Sequence, residues 1–182
     1  RFVTHTLHAL PTRECKVVVA GIINQIRTLQ TKRGERMAFV TLDDNTGTFE
    51  IAIFADLYQK RRDFLNKDDI VIVSGLLSVN AQQIRLRAED ILDLPHAREK
   101  YAARLRLIIK SSPQIDFENW IQGLQQVLGE EKGHCRIAVD YCQDNFHARL
   151  HLGKQWGVLP SDNLINKLKE CSEHIGLHMD YV

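Results

Sequence analysis

The chain has little of what marks a membrane protein or a disulfide-rich secreted protein. None of its apolar runs reaches the roughly 20 residues that a membrane-spanning helix needs, and no secretion signal is visible. Its four cysteines (Cys15, Cys135, Cys142 and Cys171) form no CxxC pair, and their wide spacing indicates no disulfide framework. We therefore expect free thiols, a cytoplasmic protein and no membrane contact.

Catalytic motifs are equally scarce. The sequence has no glycine-rich phosphate loop, no nucleophile elbow and no defensible Cys–His pair. Two acidic pairs, Asp43–Asp44 and Asp68–Asp69, each lie beside a turn, where local backbone hydrogen bonds favour aspartate. We therefore predict no catalytic residue and no cofactor within this chain.

The histidines offer a possible metal site. His147 and His151 are four residues apart, as are His174 and His178, and on strands this spacing keeps both side chains on one face. Two such pairs on neighbouring strands could hold zinc. Because no cysteine or carboxylate cluster accompanies them, we expect exposed histidines and no metal.

The chain also lacks an excess of charge of either sign. A net charge of +1 provides no overall field that would attract nucleic acid, so any such binding has to come from a local cluster. The 182 residues suffice for one large or two small domains. Because the first residue is Arg1 instead of Met, we expect the chain to be part of a longer protein.

What the first half does contain is an alternating hairpin. A long apolar segment, residues 16–28, precedes RMAFVTLDD and TFEIAIF, which flank an Asn/Gly-containing turn. Gly21 interrupts the first segment and indicates a bulge or a barrel corner. Alternation puts Ala38, Val40 and Leu42 on one face of the second strand, and it aligns Phe49 with Ile51 and Ile53, which we expect to be core. Met37, Phe39 and Thr41 then face the other way.

The order of elements predicts a five-stranded OB-fold barrel over residues 16–95, after a lead-in linker at 1–15. A helical pattern at 55–66 follows the hairpin, and two further strands follow at 69–79 and 83–94. Three strands, one helix and two strands is the order of an OB-fold.

The second half predicts a small α+β domain over residues 105–182, reached through a linker helix at 96–104 after Pro95. Its order is strand, helix, hairpin, helix, strand. The helices are predicted at 116–128 and from an N-cap at Ser161 or Asp162, and the hairpin turns at 144–145.

Basic residues cluster where OB-folds grip single strands. Arg27, Lys32, Arg33 and Arg36 lie around the loop between the first two strands, where they would neutralise phosphates. Arg85 and Arg87 face outward on the last strand and could extend the same groove, and Phe39 could stack on a base. The alternatives are a solvated basic surface for the arginines and lysine, and a core position for Phe39.

Three segments together resemble the DNA polymerase III alpha subunit family of bacteria. They are the barrel run VVVAGIINQIRTLQTKRGERMAFVTLDDNTGTFEIAIF with IRLRAEDILDL, the connection HAREKYAARLRLII, and LHLGKQWGVLPSDNLINKLKE with IGLHMDYV. The resemblance runs from about residue 16 to the end. The hairpin alone is shared with other OB-folds, such as tRNA anticodon domains. The order of the three segments is much more specific.

This resemblance implies a parent that is a DNA-directed DNA polymerase, with its catalytic carboxylates in domains outside this chain. The OB-fold would hold single-stranded template DNA, and the C-terminal domain would bind the tau subunit of the clamp loader. The sliding clamp is a further candidate partner, although residues 1–15 contain no convincing clamp-binding motif. Implied docking residues are Trp156, Val158, Leu164, Ile175, Leu177 and Met179, for which an internal core position is the alternative. The ending HIGLHMDYV is less acidic than the family's usual one.

Two other classes of function stay open. The barrel could bind protein and serve as an interaction scaffold without nucleic acid, which the near-neutral charge favours. It could also be a tRNA anticodon-binding domain, although the chain continues into a second α+β domain instead of a synthetase core.

Overall fold

The structure is a computed structural model, and it describes residues 2–80, 83–110, 117–143, 146–171 and 175–181. Contacts divide the chain into two compact units, Phe2–Ala97 and Arg98–Val182. We call them the barrel unit and the C-terminal unit. Among the described residues, no helix has the length and apolar character needed to cross a bilayer. All four cysteines are free, and burial raises the pKa of the Cys135 thiol to about 11.

The barrel unit is a closed five-stranded barrel, which confirms the predicted OB-fold. Its strands are β1 (Cys15–Gln30), β2 (Arg36–Asp43), β3 (Thr48–Ile53), β4 (Ile70–Asn80) and β5 (Gln83–Leu92). Helix α1 (Ala55–Arg61) and a 3₁₀ turn (Arg62–Phe64) connect β3 to β4. The strand order is β1-β2-β3-β5-β4, and a parallel pairing of β3 with β5 closes the barrel.

One long strand, β1, makes this closure possible. Its first half pairs with β4 and its second half with β2, and the partner changes at Ile22. Gly21 lies at this corner, where an added Cβ would be 2.8 Å from the carbonyl oxygen of Asp43. The bulge in the β1–β2 pairing falls later, between Ile23 and Gln25. Gly21 is therefore needed for close backbone approach and is not itself the bulge.

Alternation along the barrel strands separates the core from the outer surface as predicted. Ala38, Val40 and Leu42 are at most 2% exposed, whereas their neighbours Met37 and Phe39 are half-buried on the outer face. The core also includes buried residues from the other four strands: Val17, Val19, Ile51, Ile53, Val71, Val73, Leu86 and Ile91.

The connection between the units differs from the predicted linker helix at 96–104. Helix α2 spans Leu94–Tyr101, and strand β6 begins at Ala102. Pro95 therefore lies in the first helical turn instead of marking a break. This position is tolerated because the first amide groups of a helix have no intrahelical acceptor to lose.

The C-terminal unit is a four-stranded sheet with two helices on one face. It contains β6 (Ala102–Lys110), α3 (Phe117–Glu130), β7 (Lys132–Gln143), β8 (Phe146–His151), α4 (Asp162–Glu170) and β9 (Ile175–Tyr181). The strand order is β8-β7-β6-β9, with β6 and β7 parallel and the other neighbours antiparallel. This agrees with the predicted α+β class. The predicted hairpin turn at 144–145 lies outside the described residues.

Apolar faces of α3 and α4 form the core of this unit with alternate residues of the sheet. Leu124, Leu128, Leu164 and Leu168 are buried against Leu105, Leu107, Ile137 and other strand residues. The Oγ of Ser161 accepts a hydrogen bond from the Leu164 amide at 3.1 Å, so Ser161 is the N-cap of α4. The apolar spacing in residues 116–128 predicts a core-facing side of α3 that includes Phe117 and Ile121. Ile121 is nevertheless 45% exposed, and the side chain of Phe117 lies outside the described residues.

Candidate nucleic-acid interface

The outer face of the barrel carries a groove of about 910 Å³ formed by β1, β2, β3 and β5 with a contribution from β4. Its lining combines positive charge with aromatic rings, the two features that single-strand binding sites use. The residues that carry these features, together with one acidic residue, are Arg27, Arg85, Arg87, Phe39, Phe49, Phe54 and Glu50.

A single row of cross-strand neighbours forms the floor of this groove. Arg27 pairs with Phe39 between β1 and β2, Phe39 pairs with Ala52 between β2 and β3, and Ala52 pairs with Arg87 between β3 and β5. With strands roughly 4.8 Å apart, the two arginine backbones are roughly 14 Å apart. The small side chain of Ala52 leaves the space between Phe39 and Arg87 open.

Arg27 rests on Phe39 and is held there by Glu50. The centre of its guanidinium is 5.0 Å from the Phe39 ring centroid, and its Nη2 donates a hydrogen bond to Glu50 Oε2 at 3.4 Å. The side chains of Arg27 and Glu50 are 55% and 50% exposed. Ion pairs this exposed contribute about 0–1 kcal/mol, so a phosphate could replace the carboxylate at Arg27 at little cost.

The arginines of β5 stand on the opposite side of the groove. Arg85 donates a hydrogen bond from Nη2 to Gln83 Oε1 at 2.9 Å. For Arg87, no hydrogen bond or ion pair of the side chain occurs among the described residues. Both arginines are exposed, whereas Leu86 between them is buried in the core. Their guanidinium groups are therefore available to a ligand.

The loop between β1 and β2 holds the other predicted cations outside this groove. The amide of Gly34 donates to the carbonyl of Thr31 at 2.9 Å, and Gly34 has φ +82°, which favours glycine. Lys32 and Arg33 on this loop, and Arg36 at the start of β2, are exposed and do not line the groove. The predicted basic cluster is thus divided between the groove and the loop.

Sequence reasoning missed several lining residues, among them Phe49, Glu50 and Phe54. Phe49 packs against the barrel core as predicted, but it is only half-buried and also lines the groove. Phe54 is 49% exposed, and Glu50 is exposed on the same strand side. The alternation of TFEIAIF already puts positions 50, 52 and 54 on the outer face, so a signal for Glu50 and Phe54 was present.

The implied docking residues lie in the C-terminal unit, and they are not equally accessible. Val158 is 0% exposed and Leu164 is 1% exposed, so both side chains belong to the internal core and present no surface. Trp156 is half-buried against that core, and Lys132 Nζ is 5.3 Å from its ring centroid. Ile175, Leu177 and Met179 lie half-buried along edge strand β9, on the side that faces the helices.

The opposite edge strand carries apolar residues that the sequence analysis did not select. Phe146 and Leu150 on β8 are each 60% exposed. They pair with Gln143 and Val139 of β7, so they lie on the helix side of the sheet. Large apolar side chains this exposed are typical of interaction surfaces when they occur together.

The WGVLPSD segment supports the fold of this unit. The amide of Leu159 donates to the Glu131 carbonyl at 2.9 Å, and the amide of Gly133 donates to the Gly157 carbonyl at 3.1 Å. The Glu131 carboxylate accepts hydrogen bonds from Ser161 Oγ and from Asn163 Nδ2, and these bonds lower its pKa. The segment therefore fastens α4 to the junction of α3 and β7.

The described histidines of the two pairs do not come together. His147 and His151 are on β8 and His178 is on β9, and these strands form opposite edges of the sheet. Two strands separate them, so their backbones are roughly 14 Å apart, and His174 lies outside the described residues. Neighbouring strands were the condition for the zinc hypothesis, and the sheet order removes it. Among the described residues, no group of three or more potential metal ligands converges.

Comparison with known proteins agrees with this architecture. Residues 17–94 match the family model "OB-fold nucleic acid binding domain", and residues 123–171 match "DNA polymerase III subunit alpha, C-terminal domain". The DNA polymerase III alpha subunit of Vibrio cholerae is 33% identical over 177 residues, which cover 95% of this chain. That of Escherichia coli K12 is 36% identical over 176 residues, which cover 93%.

The chain belongs to the DNA polymerase III alpha subunit family. It corresponds to the C-terminal region of that subunit. It spans about 15% of the length of each of these two relatives. Among solved structures, the chain is similar to Rim1, a mitochondrial single-stranded DNA binding protein of S. cerevisiae. The match has 17% identity and a TM-score of 0.38, and it covers 44% of this chain and 95% of Rim1. A likeness at this level carries no functional argument.

Proposed function

We propose that this chain is a noncatalytic part of a replicative DNA polymerase, and that its barrel holds single-stranded template DNA in the groove. The row Arg27–Phe39–Ala52–Arg87 is the observation that supports this proposal most strongly. It sets an aromatic ring between two exposed cations on the outer face of a barrel. Family membership supports a role in DNA replication.

The proposed binding mode uses charge and stacking. Arg27, Arg85 and Arg87 meet backbone phosphates, and bases stack on Phe39 and on the exposed ring of Phe54. Lys32, Arg33 and Arg36 extend the contact along the loop. Phosphate contacts and stacking carry little base information, so we expect weak sequence preference.

The test is fluorescence anisotropy of a labelled single-stranded oligonucleotide titrated with the chain at two salt concentrations. We expect affinity for the single strand to fall as salt rises. Duplex DNA and tRNA should be poor competitors of the labelled single strand. Changing Phe39 to Ala removes a stacking surface and is expected to lower affinity about tenfold without altering the salt dependence. Changing Arg85 and Arg87 to Ala is expected to lower the slope of log affinity against log salt by about 1.4.

The control is Lys67→Ala, which removes an exposed cation that does not line the groove. It should bind as the unmodified chain does. If the control and the double arginine variant lost equal affinity for the single strand, binding would reflect the overall charge of the chain and not the groove. Absence of single-strand binding at low salt would favour the scaffold hypothesis, and preference for tRNA would favour the anticodon-binding one.

We further propose that the C-terminal unit docks a protein partner, the clamp-loader tau subunit, with the sliding clamp as the rival partner. The exposed pair Phe146 and Leu150 supports an apolar contact along β8, and Met179 marks the alternative contact along β9. We expect Leu150→Asp to weaken binding of purified tau at least tenfold in surface plasmon resonance. Met179→Asp is the matched variant. If it alone weakens tau binding, docking uses β9, and binding of the clamp in place of tau would reject tau as the partner.

A further inference from the structure

The sheet of the C-terminal unit has a second face that α3 and α4 do not cover, and this face is rich in arginine. Along β6, the buried Leu105, Leu107 and Ile109 face the helices, and the residues between them face the other side of the sheet. Their pairing partners on β7 and β9 face the same side as they do. We call this surface the arginine face. Its charged residues are Arg104, Arg106, Lys110, Arg136, Arg149, Asp140 and Asp180.

The two carboxylates of the arginine face are already engaged. Asp140 is only 3% exposed, and Arg149 donates to its two oxygens from Nε at 2.5 Å and from Nη2 at 2.9 Å. Arg106 lies 3.4 Å from Asp140 Oδ2 and 3.3 Å from Asp180 Oδ1. The hydrogen bonds from Arg149 hold the pKa of Asp140 below its ordinary value.

Three cations of the arginine face have no such partner. Among the residues that the structure describes, Arg104, Lys110 and Arg136 make no ion pair, and Lys110 and Arg136 are exposed. Five cations against two carboxylates leave an excess of three positive charges on a unit that is close to neutral overall. Among the described residues, the two helices carry four acidic residues, Glu118, Glu130, Asp162 and Glu170, against two basic ones, Lys167 and Lys169. The excess of positive charge therefore lies on the arginine face and not on the helix side.

The remaining side chains indicate the kind of ligand. Among the described residues, the arginine face carries no phenylalanine, tyrosine or tryptophan, so it lacks the stacking platform that single strands use. It also lacks the large apolar anchor that dominates most protein interfaces, because Ala138 and Cys142 are small and Ile108 is half-buried. Three histidines, His147, His151 and His178, stand at its two edges.

We propose that the arginine face binds the phosphate backbone of double-stranded nucleic acid without reading its sequence. Arginine suits this ligand because its guanidinium is always charged and its donor groups match phosphate oxygens. Arg106 and Arg149 are held in position by Asp140, while Arg104, Lys110 and Arg136 supply the uncompensated charge. This proposal does not depend on the groove of the barrel unit.

The size of the effect follows from counterion release. Three phosphate contacts give a slope of log affinity against log salt of about −2.7, so affinity should fall about 40-fold between 50 and 200 mM salt. The face is four strands wide, which is roughly 14 Å between its edge strands and enough to meet one side of a duplex.

The test uses the full chain and a labelled duplex in fluorescence anisotropy at 50 mM salt. The double variant Lys110→Ala, Arg136→Ala should lower duplex affinity at least tenfold and reduce the salt slope by about 1.8. The control Lys154→Ala, Lys169→Ala removes the same charge from exposed positions away from the sheet face. It should retain the duplex affinity of the unmodified chain.

A crossed measurement separates this inference from the proposed function. The arginine-face variant should keep its affinity for a single strand, and the variant Arg85→Ala, Arg87→Ala should keep its affinity for the duplex. The inference is overturned if the unmodified chain does not bind duplex at 50 mM salt, or if the arginine-face variant binds it unchanged. It is also overturned if that variant loses binding to tau and not to DNA, since the face would then be a protein-docking surface.

Discussion

The groove of the barrel unit and the arginine face of the C-terminal unit are similar in backbone architecture, but their arginines have different neighbouring side chains. Each is the outer side of a sheet whose other side buries an apolar core, and each displays several arginines. In the groove, the arginines have aromatic neighbours, as Arg27 has Phe39. On the arginine face they have carboxylate neighbours, as Arg149 has Asp140.

This difference determines how firmly the cations are held. Arg27 and its partner Glu50 are both about half exposed, so their ion pair is weak and the guanidinium can move to a ligand. Asp140 is almost fully buried and bonded at both oxygens, so it fixes Arg149. A ligand therefore displaces Glu50 from Arg27 more easily than it displaces Asp140 from Arg149.

The largest expected effect tests whether Asp140 holds the arginine face together. Changing Asp140 to Asn removes the charge that the half-buried Arg106 and the exposed Arg149 share. We expect the free energy of unfolding of the C-terminal unit to fall by about 2 kcal/mol. Both tryptophans of the chain, Trp120 and Trp156, lie in this unit, so urea unfolding followed by tryptophan fluorescence reports on it alone.

The pH dependence gives this prediction its control. The folded-state pKa of Asp140 is lowered, so its contribution is present above the ordinary value near 3.8 and is lost as pH falls through the folded value. The difference between the unmodified chain and Asp140→Asn should therefore be constant at neutral pH and shrink below about pH 4. Asp180→Asn changes a more exposed carboxylate and should lower the free energy of unfolding by less. If the two variants lowered it equally, Asp140 would not be the residue that organises the arginine face.

Local patterns in the sequence were sufficient for the fold class and for the direction of most strand side chains. The alternation of RMAFVTLDD separates Ala38 and Val40 from Phe39 because a strand turns successive side chains to opposite faces. The order of strands and helix identifies the barrel. The residue types of Ser161 and Asp162 indicate the start of α4, and the structure shows that Ser161 is the N-cap.

What the sequence could not provide is pairing between distant segments. The row from Arg27 to Arg87 depends on the parallel pairing of β3 with β5, which no local pattern specifies. The sheet order likewise puts β8 and β9 at opposite edges, which separates histidines that share the same spacing. The resemblance implied Val158 as a docking residue, with a core position as the alternative. Its burial in one cluster with residues of the sheet and of both helices depends on tertiary packing, which no local pattern shows.

The smallest expected effect tests the loose hold on the cations of the groove. Glu50 both repels phosphates and pairs with Arg27, so changing it to Gln removes a competitor for the ligand while keeping the shape of the side chain. If the groove binds single strands, we expect affinity for a single-stranded oligonucleotide to rise about threefold, or ~0.6 kcal/mol, within the range of an exposed ion pair. The gain should shrink as salt rises, because exposed charges are screened.

Glu14→Gln is the matched control, since it removes an exposed carboxylate that lies before β1 and does not line the groove. An equal gain in this control would mean that only net charge matters. A loss of affinity in Glu50→Gln would mean that the carboxylate positions Arg27 for its ligand. Arg27 would then resemble the fixed Arg149, and the contrast between a loosely held groove and a rigid arginine face would fail. Affinity for a duplex should not change in either variant, because Glu50 and Glu14 are both in the barrel unit.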